Sequence, residues 1–245
     1  MKSVKQTKFD SKVGAIKLLH KKRTGALTYV QRGANQTAVD GSGVSLDFYI
    51  HALYGLALQS EAEDILMIGC GGGTLGTMLA RAGKRVTIVD VDKTPFVLAR
   101  RHFHLPKEIK CRVSDGLAFL QRARKRYDVV IVDAFIGERI PKHLTGDDFC
   151  RAARRCVQAD GVLLMNVCLS DRNDRTAERI AARFLAHGWE AKILDRPRIP
   201  ARNGIVIAGA VKGLVRPKLL VPPATGSRRI ARELGAARMR RIHAA

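Results

Sequence analysis

The chain has 245 residues, 44 Lys and Arg against 22 Asp and Glu for a formal net charge of +22, and 46% hydrophobic residues, enough for a sizeable core and against global disorder. Its longest apolar runs, 65–70 and 161–165, fall far short of the roughly 20 residues of a bilayer span, and the Lys-rich start has no apolar stretch behind it, so neither a membrane span nor a secretory signal is expected. The five cysteines, Cys70, Cys111, Cys150, Cys156 and Cys168, are odd in number and form no CxxC pair, which points to reduced thiols in a cytoplasm rather than to disulfides or a metal site.

Residues 1–23 hold eight Lys/Arg and one Asp, and residues 212–245 hold nine Lys/Arg and one Glu, so two thirds of the excess charge lies at the ends. Such blocks are expected as solvated arms, either solubilising or touching an anionic partner such as nucleic acid. Short apolar runs at 14–19, 26–31 and 36–39, broken by Gly and polar residues, read as a small β unit, so 1–45 is the basic arm plus that unit. A helix over 46–59 leads into a central domain, 46–211.

Within that domain apolar runs alternate with amphipathic stretches. Strands are expected at 65–68, 86–89, 111–113, 129–132 and 161–167, with helices at 74–82, 94–104, 116–124 and 147–157. Such alternation predicts an α/β fold with a doubly wound, mostly parallel, seven-stranded sheet, its strands apolar because both faces are buried. Runs at 189–194 and 204–211 are separated by Arg196-Pro197-Arg198-Ile199-Pro200, too short for a crossover, and should close the sheet edge as an antiparallel hairpin. Beyond it, Val221-Pro222-Pro223 and Thr225-Gly226-Ser227 read as a flexible linker, followed by a basic helix over 227–242 in the C-terminal tail, 212–245.

In open parallel sheets ligands bind beyond the carboxyl ends of the strands. After the first strand comes Gly69-Cys70-Gly71-Gly72-Gly73-Thr74, whose glycines permit a tight turn and ligand approach to backbone N–H groups. Asp90 ends the second strand, placed to accept hydrogen bonds from ribose hydroxyls. Asp115-Gly116 follows the third, able to meet an adenine amino group, and Asp133 follows the fourth, where a reacting atom would sit. Counted from the strand end, the dinucleotide pattern would read Gly69-x-Gly71-x-x-Thr74, without its last glycine, so a nucleoside of the S-adenosylmethionine type fits better than NAD.

These motifs, with Val89-Asp90-Val91-Asp92, 114–120 and 127–135, resemble the spermidine synthase (polyamine aminopropyltransferase) family, which shares the class I methyltransferase fold. Residues 36–40 and 140–145 are similar to segments of its bacterial spermidine synthase-like branch. The resemblance implies transfer of an aminopropyl group from decarboxylated S-adenosylmethionine to an amine, with Asp90 on ribose, Asp115 on adenine, Asp133 deprotonating the amine and Gln36 near the nucleoside. It also implies an oligomer, such as a homodimer. Three departures stand out. The glycine loop lacks the family's acid, the family's Tyr-His-Glu becomes Ile50-His51-Ala52, and its DSSD becomes Asp133-Ala134-Phe135-Ile136. Methyl transfer from S-adenosylmethionine to an anionic small molecule or nucleic acid, or a non-catalytic nucleoside-binding homologue, are the alternatives. Against functional roles stand local ones: Asp92 and Asp115 as helix-start residues, His51 as a buried core histidine, His143 as a lid residue and Asn166 as a loop-orienting one.

Overall fold

The structure is a computed structural model and describes residues 4–59, 61–197 and 199–242. The chain begins with an antiparallel meander of β1 (Val4–Phe9), β2 (Ile16–Lys21), β3 (Ala26–Gln31) and β4 (Ala34–Val39), paired in chain order. Its small core comprises Ile16, Leu18, Tyr29 and Val39 with Leu98 and Phe103 from the central domain. The described part of the basic block, 4–23, is therefore largely strand, with β1 paired to β2 along its whole length, rather than a free arm.

Helix α1 (Phe48–Ala57) leads into β5 (Asp64–Ile68), α2 (Thr74–Arg81), β6 (Arg85–Asp90), α3 (Thr94–His102), β7 (Lys110–Val113), α4 (Gly116–Arg122), β8 (Tyr127–Val132), α5 (Asp147–Cys156) and β9 (Val157–Leu169). Then follow α6 (Thr176–Ala186), β10 (Ala191–Asp195), β11 (Arg202–Gly209), α7 (Ser227–Ala236) and β12 (Arg238–Arg241). The large sheet has the order β12-β10-β11-β9-β8-β5-β6-β7. Strands β7, β6, β5, β8 and β9 are parallel, and β11, β10 and β12 add antiparallel. Alternating residues of each central strand enter opposite layers: Ile65 and Met67 pack with Leu53 of α1 and Leu79 of α2, whereas Leu66 and Ile68 pack with Phe149 of α5 and Phe184 of α6. The doubly wound, mostly parallel sheet with its antiparallel C-terminal strands is the expected one.

The differences lie toward the C-terminus. Helix α6, with Ile180 and Phe184 four apart on its buried side, fills a stretch for which the sequence reading named no element. The hairpin β10–β11 forms as expected but is not the edge, because β12 pairs with β10 and makes an eighth strand. The expected helix over 227–242 ends at Ala236, and the chain turns extended at Ala237. A strand forms there because Arg240, facing inward, meets Asp195 Oδ1 at 3.1 Å and Oδ2 at 3.0 Å, and Glu178 Oε1 at 3.0 Å. Asp195 is fully buried, a buried carboxylate is costly unless paired or hydrogen-bonded, and Arg240 supplies both. The segment expected as a flexible linker is likewise held: Gln59 exchanges hydrogen bonds of 2.9 and 2.8 Å with the Val215 backbone, and Ala224 N–H donates to Asp40 Oδ2 at 2.7 Å.

Candidate active site

The carboxyl ends of β5, β6, β7 and β8 open onto one cavity, which is also lined by the N-terminal meander and by the loop after β8. Gly69, Gly71, Asp90, Asp115, Gly116, Asp133 and Gln36 all line it, so all but one of the residues expected at the site come together. Gly73 is the exception: it stands at the left-handed N-cap of α2, packed under Leu105. At Gly69 only glycine fits, since φ is 102° and a Cβ would lie 2.2 Å from the Asp133 carbonyl oxygen. The ends of β5 and β8 are thus pressed together, sealed by a 2.9 Å bond from Asp133 N–H to Ile68 O.

Asp90 anchors the glycine loop: its Oδ2 accepts from Cys70 N–H at 2.9 Å and its Oδ1 from Asp92 N–H at 3.0 Å. Burial pushes its carboxyl above the ordinary value against those two bonds. Asp92 caps the start of α3 through Thr94 N–H at 2.9 Å, as the local reading expected, but it does more. Its other oxygen accepts the Ser11 hydroxyl and, at 2.7 Å, Lys12 N–H, tying the meander to the strand end. Ser11 and Val13 line the cavity as a result, a wall the sequence reading did not contain.

Asp115 caps α4, accepting Ala118 N–H at 3.0 Å, while its second oxygen lies 2.7 Å from His143 Nε2. Burial pushes this carboxyl up, but the Ala118 N–H and His143 hold it below the ordinary range. Gln36, on β4, reaches across the opening to donate to the Gly137 carbonyl at 3.0 Å, joining the meander to the loop after β8. Thr37 takes the Gly72 N–H at 3.0 Å. His51 lies behind the site as a core residue, 2.8 Å from the Ser45 carbonyl and lowered in basicity chiefly by burial.

Asp133 faces the cavity from the end of β8, its Oδ1 accepting from Asn166 Nδ2 at 2.8 Å. Burial pushes its carboxyl up to about 6, helped by the charge of Asp47 and opposed by the Asn166 bond. A carboxyl so placed is still ionised at neutral pH yet basic enough to receive a proton. Thr74, the first residue of α2, is nearly fully buried, lines the cavity, and its hydroxyl has no partner among the described residues.

Residues 47–170, half of the chain, match the family described as spermine/spermidine synthase domain. The chain belongs to the spermine/spermidine synthase family. The polyamine aminopropyltransferase of Vibrio vulnificus is 34% identical over 121 residues, covering 46% of this chain and 40% of that protein. That of Neisseria meningitidis serogroup A is 30% identical over 168 residues, covering 65% and 62%. The chain therefore spans less than two thirds of the length of these family members. In fold, the probable spermidine synthase from Corynebacterium glutamicum superposes with a TM-score of 0.77 at 17% identity, covering 96% of this chain and 90% of that one.

Proposed function

We propose that the protein transfers an aminopropyl group from decarboxylated S-adenosylmethionine to an amine acceptor. Membership of the family and the two aminopropyltransferase relatives support this reading. The observation that carries it is Asp133, a carboxylate with one oxygen held by Asn166 and basicity raised by burial, in the same cavity as Asp90 and Asp115. Asp90 takes the ribose hydroxyls, Asp115 the adenine amino group, and Gln36, Gly69, Gly71 and Gly116 shape the nucleoside side. The co-substrate supplies a sulfonium, a good leaving group, so the protein has mainly to align the reactants and remove a proton. The acceptor nitrogen forms the new N–C bond as the C–S bond breaks and its electron pair goes to sulfur. Asp133 receives the ammonium proton and passes it to water.

The test is incubation with decarboxylated S-adenosylmethionine and putrescine, following methylthioadenosine and the aminopropylated amine. Their stoichiometric appearance, abolished in Asp133→Ala, is expected, and their absence with every di- and monoamine tried refutes the reading. A second reading, methyl transfer from S-adenosylmethionine, is favoured by one observation: the loop after β5 carries no acid, and the buried Thr74 hydroxyl beside the uncapped start of α2 suits a carboxylate. It predicts a methylated acceptor and S-adenosylhomocysteine from the same assay with that co-substrate.

A further inference from the structure

Asn166 does not stand alone beside Asp133. It lies fully buried on β9, and its Oδ1 accepts from Asn203 Nδ2 on the neighbouring strand β11 at 3.0 Å. The same Nδ2 lies 3.6 Å from Cys168 Sγ. An amide side chain looks alike from either end to packing forces, but not to hydrogen bonds, because one end only donates and the other only accepts. Asn203, by donating to Asn166 Oδ1, turns the Asn166 NH2 toward Asp133. Without that donor the Asn166 amide is free to rotate and present its oxygen to the carboxylate, which repels it.

We propose that Asn166 and Asn203 form a two-residue positioning relay for Asp133: Asn203 fixes the orientation of the Asn166 amide, and Asn166 holds Asp133 Oδ1 so that Oδ2 is presented to the acceptor amine in its ionised form. This rests on the reading of Asp133 as the proton acceptor in alkyl transfer and adds the residues that set it. The relay is chemically directional, running donor to acceptor from β11 through β9 to β8, and it opposes the other groups that face the carboxylate. Asp47 and Tyr49 at the start of α1 and Cys168 on β9 interact with Asp133 electrostatically, and the Asp47 charge pushes its carboxyl up. Of these surroundings, Asn166 is the hydrogen-bond donor that favours the anion.

Two measurements test this on the full-length chain. In the first, the Asp133 carboxyl is titrated by NMR in protein labelled with carboxyl-13C aspartate, its signal identified by its loss in Asp133→Asn. Asn166→Leu and the milder Asn203→Ala should each move its midpoint upward, by about one pH unit for the first, as expected for removal of one hydrogen bond to a carboxylate. Asn203→Ser, which retains a donor, should restore most of the wild-type midpoint. A midpoint unmoved in both folded variants overturns the relay, whatever happens to activity. In the second, the pH dependence of turnover is followed. The acid limb should shift with the titration, so that Asn166→Leu loses about fivefold more rate at pH 6 than at pH 9, with the nucleoside Kd unchanged. A uniform loss at all pH values, with the titration moved, would leave the relay standing and refute Asp133 as the base.

Discussion

At the scale of single residues, the cavity is built from carboxylates whose surroundings differ. Asp90 already accepts two backbone N–H groups, so under the proposed function a ribose adds to, rather than replaces, its bonds. Asp90→Ala should therefore lose the nucleoside contact and loosen the glycine loop together, weakening binding by at least a hundredfold in calorimetry; unchanged affinity would remove the ribose role. Asp115 differs in its partners: one oxygen accepts Ala118 N–H, and the other lies against a side chain, His143, rather than a second backbone N–H. Under the proposed function an adenine amino group competes with His143 for that oxygen. His143→Ala should thus tighten nucleoside binding severalfold, whereas weaker binding would show that His143 itself contacts the base. Asp47 and Asp133 are each pushed up to about 6, chiefly by burial. Their folded values lie above the unfolded one of about 3.9, so the native state binds more protons between roughly pH 4 and 6. The stability they contribute is present below that window and lost as pH rises through 6. Asp133→Asn should accordingly unfold about 1–3 kcal/mol later in urea than wild type at pH 7.5 and show little difference at pH 4.

At the scale of elements, the five parallel strands and the glycine loop were legible because buried parallel strands are apolar throughout and glycine runs have few other uses. The acids at successive strand ends followed from that register. What was not legible depends on partners distant in sequence: Asn203 lies 37 residues from Asn166, and Ser11 lies 81 from Asp92. Likewise Arg238-Met239-Arg240-Arg241 has the composition of a solvated tail, and only the buried Asp195 explains its entry into the sheet. Arg240→Ala should leave that carboxylate with Arg202 at 3.7 Å as its remaining cation and cost about 3 kcal/mol in urea unfolding. Ile230→Ala or Leu234→Ala in α7, both buried against the α1 layer, should cost about 2–4 kcal/mol, whereas a free basic tail would tolerate all three changes.

At the scale of the whole molecule, the basic ends are in large part folded among the described residues, as β1 and β2 at one end and α7 and β12 at the other. Within the meander, Lys8 and Lys17 stand directly opposite each other on exposed positions of β1 and β2, a like-charge pair that costs stability. Replacing both by Ser should raise urea stability by about 0.2–1 kcal/mol and lower the salt needed to elute the protein from heparin. Elution at unchanged salt would show that this strand pair takes no part in polyanion contact. The meander is also fastened to the site, because Asp92 grips Ser11 and Lys12 while its own N–H is held by Asp90. Under the proposed function, occupancy at Asp90 and order in β1 and β2 are therefore linked through Asp92. A nucleoside should slow amide exchange in those two strands, and by reciprocity any partner that grips them raises nucleoside affinity by the same factor.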